Sequence, residues 1–316
     1  MLPIPMKSFL QDWFAESSTI SIKTSGSTGK PKWIELQKEH MLNSAKITGD
    51  FFELATRTTA LLCLPIDYIA GKMMLVRSMS LGWHLDVVSP NSKPLADLNR
   101  EYDFSAMIPL QLQNSLDKVR IIKKLIVGGG AVDHKLESEI QSISTSIYAT
   151  YGMTETCTHV AIKKLNHSKK HGFMALEGVK ISKDNRDCLM LDAPNVSSEQ
   201  IITNDVIEMV SENEFHWKGR YDNVVNSGGI KLHPEEIEKK MAPYLERRFF
   251  VAGVKDQTLG EKLVLVVEGG GFVISEAIYQ GLIKYETPKS IFFVDEFEET
   301  ETLKIQREKT LLKINA

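Results

Sequence analysis

At 316 residues the chain can hold two domains or one large domain with an appendage, and its 42% hydrophobic and 25% charged residues are ordinary for a globular protein. A net charge of −3 and a pI near 6.3 leave no basic footprint, which argues against a nucleic-acid partner. Cys63, Cys157 and Cys188 are odd in number and not spaced for a metal or redox pair, so free thiols and a cytoplasmic location are expected.

The opening "MLPIPMKSFLQDWFAESS" interrupts its apolar residues with Pro, Lys and Asp, unlike a signal peptide. Next comes "TSGSTGKPK", Thr24 to Lys32, which has almost nothing to bury. Backbone N–H groups and hydroxyls at that density suit a phosphate, and a flexible surface turn is the other reading. It is not a P-loop: Pro31 follows Gly29-Lys30, and Thr24 stands where the first glycine belongs. "PKWIEL" then predicts a strand, "EHMLNSAKITGDFFEL" an amphipathic helix and "ALLCLP" a buried strand. The most apolar stretch, "TALLCLPIDYIAGKMMLV", carries Pro65, Asp67 and Lys72, so no membrane span is expected. "GKMMLVRSMSLG" predicts a helix, "HLDVVS" extended chain, "KKLIVGGG" a strand ending in glycine, "VDHKLESEIQS" a helix and "SIYATYG" a strand. This alternation predicts an α/β protein with its chemistry at strand ends, at Thr24 to Lys32, Gly128 to Gly130 and Tyr151 to Glu155.

Beyond about residue 220 the texture changes. "NVVNSGGIKLHPEEIEKKM" places a Gly pair in a hairpin and Pro234 at a first helical position, with Glu235 and Glu236 in the first turn. The strands "EKLVLVVEG" and "SIFFVDEF" follow, and "DEFEETE" reads as a solvated loop. The expected organisation is a large α/β domain over residues 1–221 and a small α+β domain over 222–316. The pair His167 and His171 has helical spacing but no adjacent acid, so a surface loop is preferred to a metal site.

Taken in order, "TSGSTGKPK", "YGMTET", "TND", "KGRYD", "NSGGIKLHPEEIE" and "LKIQR" resemble the motifs of the adenylate-forming superfamily, which includes acyl-CoA ligases, luciferases and peptide-synthetase adenylation domains. The resemblance runs from about residue 20 to Arg307 and implies ATP, Mg2+ and coenzyme A as cofactors. By it, Thr24, Ser25, Gly26, Ser27, Thr28, Gly29 and Lys32 wrap the ATP phosphates, and Gly128, Gly129, Gly130 and Ala131 pass along the adenine. Tyr151, followed by Gly152, stacks on that base; Thr154 contacts the α-phosphate, and Glu155 is the metal ligand. Asp205 and Arg220 reach the ribose, Asp222 is the hinge of a mobile small domain, and Lys304 is the catalytic lysine. Gly228 and Gly229 give the pantetheine arm passage.

The chain also departs from the pattern. The sizeable N-terminal portion of most members has no counterpart before the phosphate loop, so a truncated large domain is expected, with pocket walls drawn from elsewhere or from a second subunit of a homo-oligomer. "PIDY" replaces an aromatic and a histidine with Asp67 and Tyr68, and Leu303 replaces a glycine. "LPIDYIAGKMMLVRSM" and "YATYGMTETCTHVAIKKLN" look most like the compact o-succinylbenzoate:CoA ligases of menaquinone biosynthesis. That acid has a second carboxylate, for which Lys72 and Arg77 are the candidate cations, with Tyr68 nearby and a solvated helix face as the alternative. The competing functions are an adenylating enzyme for another aryl or acyl acid or for a carrier protein, and a non-catalytic nucleotide-binding protein.

Overall fold

The computed structural model describes residues 4–23, 32–168, 172–300 and 304–314. Helix α1 (Ile4–Phe14) precedes a two-stranded antiparallel sheet of β1 (Thr19–Lys23) and β2 (Trp33–Gln37), which leads directly into α2 (Lys38–Phe51). A larger sheet follows, beginning with β3 (Thr59–Leu62), α3 (Ile69–Leu81), β4 (His84–Val87) and β5 (Tyr102–Met107). It continues through α4 (Pro109–Gln113), β6 (Ile122–Val127), α5 (His134–Glu139) and β7 (Ser146–Gly152). The strands β8 (His159–Lys164), β9 (Phe173–Ala175), β10 (Lys180–Lys183), β11 (Cys188–Asp192), β12 (Ile201–Ser211) and β13 (Glu214–Arg220) complete it.

Among the described residues this sheet has eleven strands in the order β10-β11-β12-β13-β9-β8-β7-β6-β5-β3-β4. The β4–β3–β5–β6–β7 half is parallel, and every pairing beyond β7 is antiparallel. In the parallel half, both faces are covered. Phe52 of the α2 end, Met73, Met74 and Val76 of α3, Trp83 and Phe104 pack on one face. Leu112, Leu125, Leu136, Ile140 and Ile147 pack on the other. Each such side chain contributes about 1.5–3 kcal/mol by leaving water. Helix α3 is apolar on nearly all sides, with Gly71 through Ser78 buried except Lys72. It approaches the chain before it so closely that a Cβ on Gly71 would lie 2.7 Å from the Pro65 carbonyl carbon.

A separate five-stranded sheet comprises β14 (Val225–Ser227), β15 (Ile230–Leu232), β16 (Phe249–Asp256), β17 (Gly260–Glu268) and β18 (Ser290–Val294). Helix α6 (Pro234–Met241) packs Ile237 and Met241 on one face against Val251 and Leu265; α7 (Arg307–Ile314) lies beyond the opposite face, where Phe250, Val264, Val266 and Phe297 cluster. The turn between β14 and β15 is the Gly228–Gly229 pair, with φ of +59° and +83°. Two successive residues at positive φ form the hairpin turn that matches strand twist, which accounts for glycine at both positions. No described helix is long and apolar enough to cross a membrane.

Candidate functional site

The parallel strands β5, β6 and β7 end together, and their ends carry the first group of candidate residues. Gly128, directly after β6, donates its N–H to the Met107 carbonyl at the end of β5 and faces Thr150 of β7, whose Oγ1 a Cβ would meet at 2.6 Å. Gly129 (φ +81°), Gly130 and Ala131 are exposed beyond it, beside Ile108 and Pro109. At the end of β7, Gly152 lies so close to β8 that a Cβ would overlap the Thr158 carbonyl and sit 2.5 Å from His159 Cα. Inter-strand packing at this irregular pairing therefore already requires glycine at 152, whatever else passes there.

Tyr151 and Asp205 are bonded to each other. The Tyr151 hydroxyl donates to Asp205 Oδ2 at 2.6 Å, and Trp217 Nε1 donates to Asp205 Oδ1 at 3.1 Å. Burial and the Asp205 charge both raise the Tyr151 pKa, so it stays a neutral donor. Phe173 and Phe215 meet its ring edge-on, at 5.9 and 5.3 Å between centroids. Arg220 ends β13 between two carboxylates, with Nη1 3.7 Å from Asp205 Oδ1 and Nη2 3.2 Å from Asp222 Oδ2. Lys304 comes to this group from the far end of the chain. It keeps part of its surface in solvent, but surrounding protein and the charge of Arg220 lower its pKa. Its carbonyl and N–H are pinned to Thr300, and the next residue, Ile305, bridges to Glu299.

Thr154 and Glu155 sit in a single 3-10 turn after β7, Glu155 exposed and its carboxylate without a hydrogen-bond partner among the described residues. The turn closes through Cys157, at φ +62° and ψ −40°, where the Thr158 N–H reaches the Thr156 carbonyl at 2.7 Å. That is the strained form of the three-residue turn, and Thr156 Oγ1 ties it down by donating to the carbonyl of Met153 or Thr158. All three cysteines are buried and free.

Arg77 and Lys72 do not share a face. Lys72 donates to the Asp67 carbonyl at 2.9 Å and lies 5.9 Å from the Phe9 ring of α1. Arg77 is 1% exposed on the side of α3 that packs against α2 and β8. Its Nε donates to Thr48 Oγ1 at 3.3 Å and its Nη2 to Thr158 Oγ1 at 3.1 Å. No described carboxylate is within ion-pair distance, and burial lowers its pKa to about 10, so it remains charged near neutrality. His159, also buried and beside this cation, is held well below the usual histidine range and stays neutral. The alternative of a solvated helix face thus fails for Arg77, because α3 has no solvated face at that position. Tyr68 is half-buried at the start of α3.

Thr24 to Pro31 lie outside the described residues; Lys32 is exposed just before β2. His171 is likewise outside them, and His167 occupies a loop at φ +53° with Nε2 2.7 Å from the Ile143 carbonyl. No cluster of three or more metal-ligating side chains occurs among the described residues. Sequence reasoning missed Trp217, two residues after Phe215 on β13, whose indole N–H reaches Asp205, and the Thr48, Thr158 and His159 surroundings of Arg77.

Residues 15–182 match the AMP-binding enzyme family. The chain is 36% identical to an acyl-CoA synthetase (AMP-forming)/AMP-acid ligase II-like protein of Dyadobacter fermentans, with 98% of this chain and 93% of that one covered and a TM-score of 0.67. The O-succinylbenzoate coenzyme A synthetase of Bacillus subtilis, solved with ATP and a magnesium ion, superposes with a TM-score of 0.81 at 22% identity, over 92% of this chain and 69% of that one. The 2-succinylbenzoate–CoA ligase of Bacillus cytotoxicus is 25% identical over 93% of this chain and 69% of its own; that of Staphylococcus aureus is 27% identical over 90% and 65%. The chain thus spans about two thirds of the length of these curated relatives. With over half of its residues matched, it belongs to the AMP-binding enzyme family, among relatives that are acid–CoA ligases.

Proposed function

We propose that the chain is an AMP-forming acid:CoA ligase that activates o-succinylbenzoate. The observation that carries the ligase reading is the convergence of Tyr151, Asp205, Arg220 and Lys304, drawn from four separate stretches of chain. In this reading Tyr151 and Asp205 take the adenosine, the Tyr151–Asp205 hydrogen bond opening to the ribose hydroxyls, and Gly128 to Ala131 line the base. The substrate carboxylate attacks the α-phosphorus of ATP, pyrophosphate leaves, and Lys304 and Arg220 offset charge building on the transferring group. Glu155 suits Mg2+ because it offers a hard oxygen not engaged by any described residue; one carboxylate plus substrate phosphates is a usual magnesium donor set. The metal would neutralise phosphate charge. The coenzyme A thiol then attacks the acyl-adenylate and AMP departs. Arg77 supports the dicarboxylate substrate: a buried guanidinium with hydroxyl partners and no acid is a cation awaiting an anion.

The test is a carboxylic-acid panel scored by pyrophosphate release with and without coenzyme A. Release with o-succinylbenzoate, and AMP with thioester only when coenzyme A is present, are expected. No release with any acid would overturn the ligase reading.

The second half-reaction is proposed to follow rotation of the five-stranded unit about Asp222, bringing the Gly228–Gly229 turn to the pantetheine path. A Cβ at Gly229 would meet nothing within 4 Å, and asparagine accepts its positive φ. Gly229→Asn should therefore keep its melting temperature and first-turnover pyrophosphate release, while thioester formation slows about tenfold or more. Equal slowing of both half-reactions would remove this turn from the coenzyme A path.

A further inference from the structure

We infer that Glu235 is a positioning residue, bridging the linker after β13 to the anchor of the Lys304 segment. What Lys304 does rests on the proposed ligase reading, whereas the bridge itself is geometric. Glu235 stands in the first turn of α6, on one side of the 220–225 linker, and its carboxylate reaches across to the other side. Oε1 accepts from Asn223 Nδ2 at 2.5 Å. The same oxygen lies 3.5 Å from Arg307 Nη2. Oε2 is buried without a hydrogen-bond partner among the described residues and rests against Gly219 of β13, where a Cβ would overlap it and come within 2.8 Å of Cδ.

Arg307 begins α7, three residues after Lys304. It donates to the Val251 carbonyl at 2.9 Å and pairs with Glu238 at 2.8 Å, so its guanidinium serves two half-buried carboxylates at once. Burial drives Glu238 up to about 7. The chain of contacts therefore runs from Asn223 through Glu235 to Arg307 and so to the segment that carries Lys304. An unpaired carboxylate oxygen held out of water is unfavourable, and it regains water if α6 moves away from Gly219. Glu235 thus holds Lys304 in place through a contact that is sound in one arrangement of the two sheets and easily given up.

The experiment compares Asn223→Ala, Glu235→Ala and the double variant in the full chain, by amide hydrogen exchange over 219–224 and 304–314 and by the two half-reactions. Each single variant should lose protection in both segments and slow pyrophosphate release about ten- to a hundredfold, with thioester formation from supplied acyl-adenylate unchanged. The double variant should be no worse than Glu235→Ala, since both remove one connection. Asn223→Ala leaves the Arg307 pairings intact and guards against mere unfolding. Unaltered exchange in Asn223→Ala, or equal slowing of the two half-reactions, would overturn the assignment. If the unmodified protein released no pyrophosphate with any acid, the ligase reading would fall while the exchange measurement still decided the bridge.

Discussion

Lys304→Ala should slow acyl-adenylate formation by about a hundredfold or more while leaving thioester formation from supplied acyl-adenylate near that of the unmodified protein. Removing a donor aimed at developing charge has effects of that order. The structure sets Lys304 where crowding and the Arg220 charge lower its pKa, with Arg220 itself 3.7 Å from Asp205. In the proposed reaction the two cations would share the charge that builds on the ATP phosphates. Because the shift is downward, the ammonium in the free protein loses its proton at a lower pH than an ordinary lysine. Adenylation measured as kcat/KM should accordingly decline on the alkaline side before the usual lysine range, and Lys304→Arg should abolish that decline. Pyrophosphate release by Lys304→Ala at a near-normal rate would take this residue out of the chemistry.

The parallel half of the large sheet was readable because its strands are short apolar runs between helical periods. The exception is β5, where Asp103 and Ser105 interrupt the pattern. Both are satisfied by β3: Asp103 accepts from the Thr59 N–H and hydroxyl, and Ser105 donates to the Leu61 carbonyl. The polar residues break the apolar run, while the hydrogen bonds that make them tolerable in a strand leave no mark in a hydropathy pattern. The antiparallel strands β8 to β13 carry mixed faces and turn at loops with little signature, and they escaped a reading tuned to alternating helices and strands. The candidate site was readable as an ordered set of polar loops, since loops at strand ends hold residues no core requires. Partners within it were not. The Tyr151–Asp205 bond joins β7 to β12, strands separated in the sheet by β8, β9 and β13, and only the folded topology brings them together. Lys72 and Arg77 show the same limit on a smaller scale. Five residues on a helix turn roughly 140°, so one helix could not aim both at a single pocket. The run "MMLVR" gave the missing signal: a helix apolar on every side buries whatever cation it carries.

That buried cation yields the sharpest test of the substrate. The unmodified protein should use o-succinylbenzoate at least tens-fold more efficiently than 4-phenyl-4-oxobutanoate, which keeps the reacting carboxylate and lacks the one on the ring. Pairing with a desolvated guanidinium is worth about 2–5 kcal/mol when one partner is removed. Arg77 offers Nε and Nη2 hydrogen bonds now taken by Thr48 and Thr158, both of which have other partners: Thr48 donates to the Ser44 carbonyl and Thr158 meets Ser44 Oγ. The guanidinium can therefore turn to a carboxylate without stranding a hydroxyl. Neutral His159 beside it adds no competing charge. Arg77→Met should erase most of the preference and leave activity toward the monoacid nearly unchanged. It should also fold normally, because replacing a buried charge that lacks an acid with an apolar side chain of similar length is neutral or stabilising. Equal use of the two acids by the unmodified protein would discard o-succinylbenzoate and keep the ligase. A preference that survives in Arg77→Met would move recognition of the ring carboxylate to another cation, and Lys72→Met would be the next variant to measure.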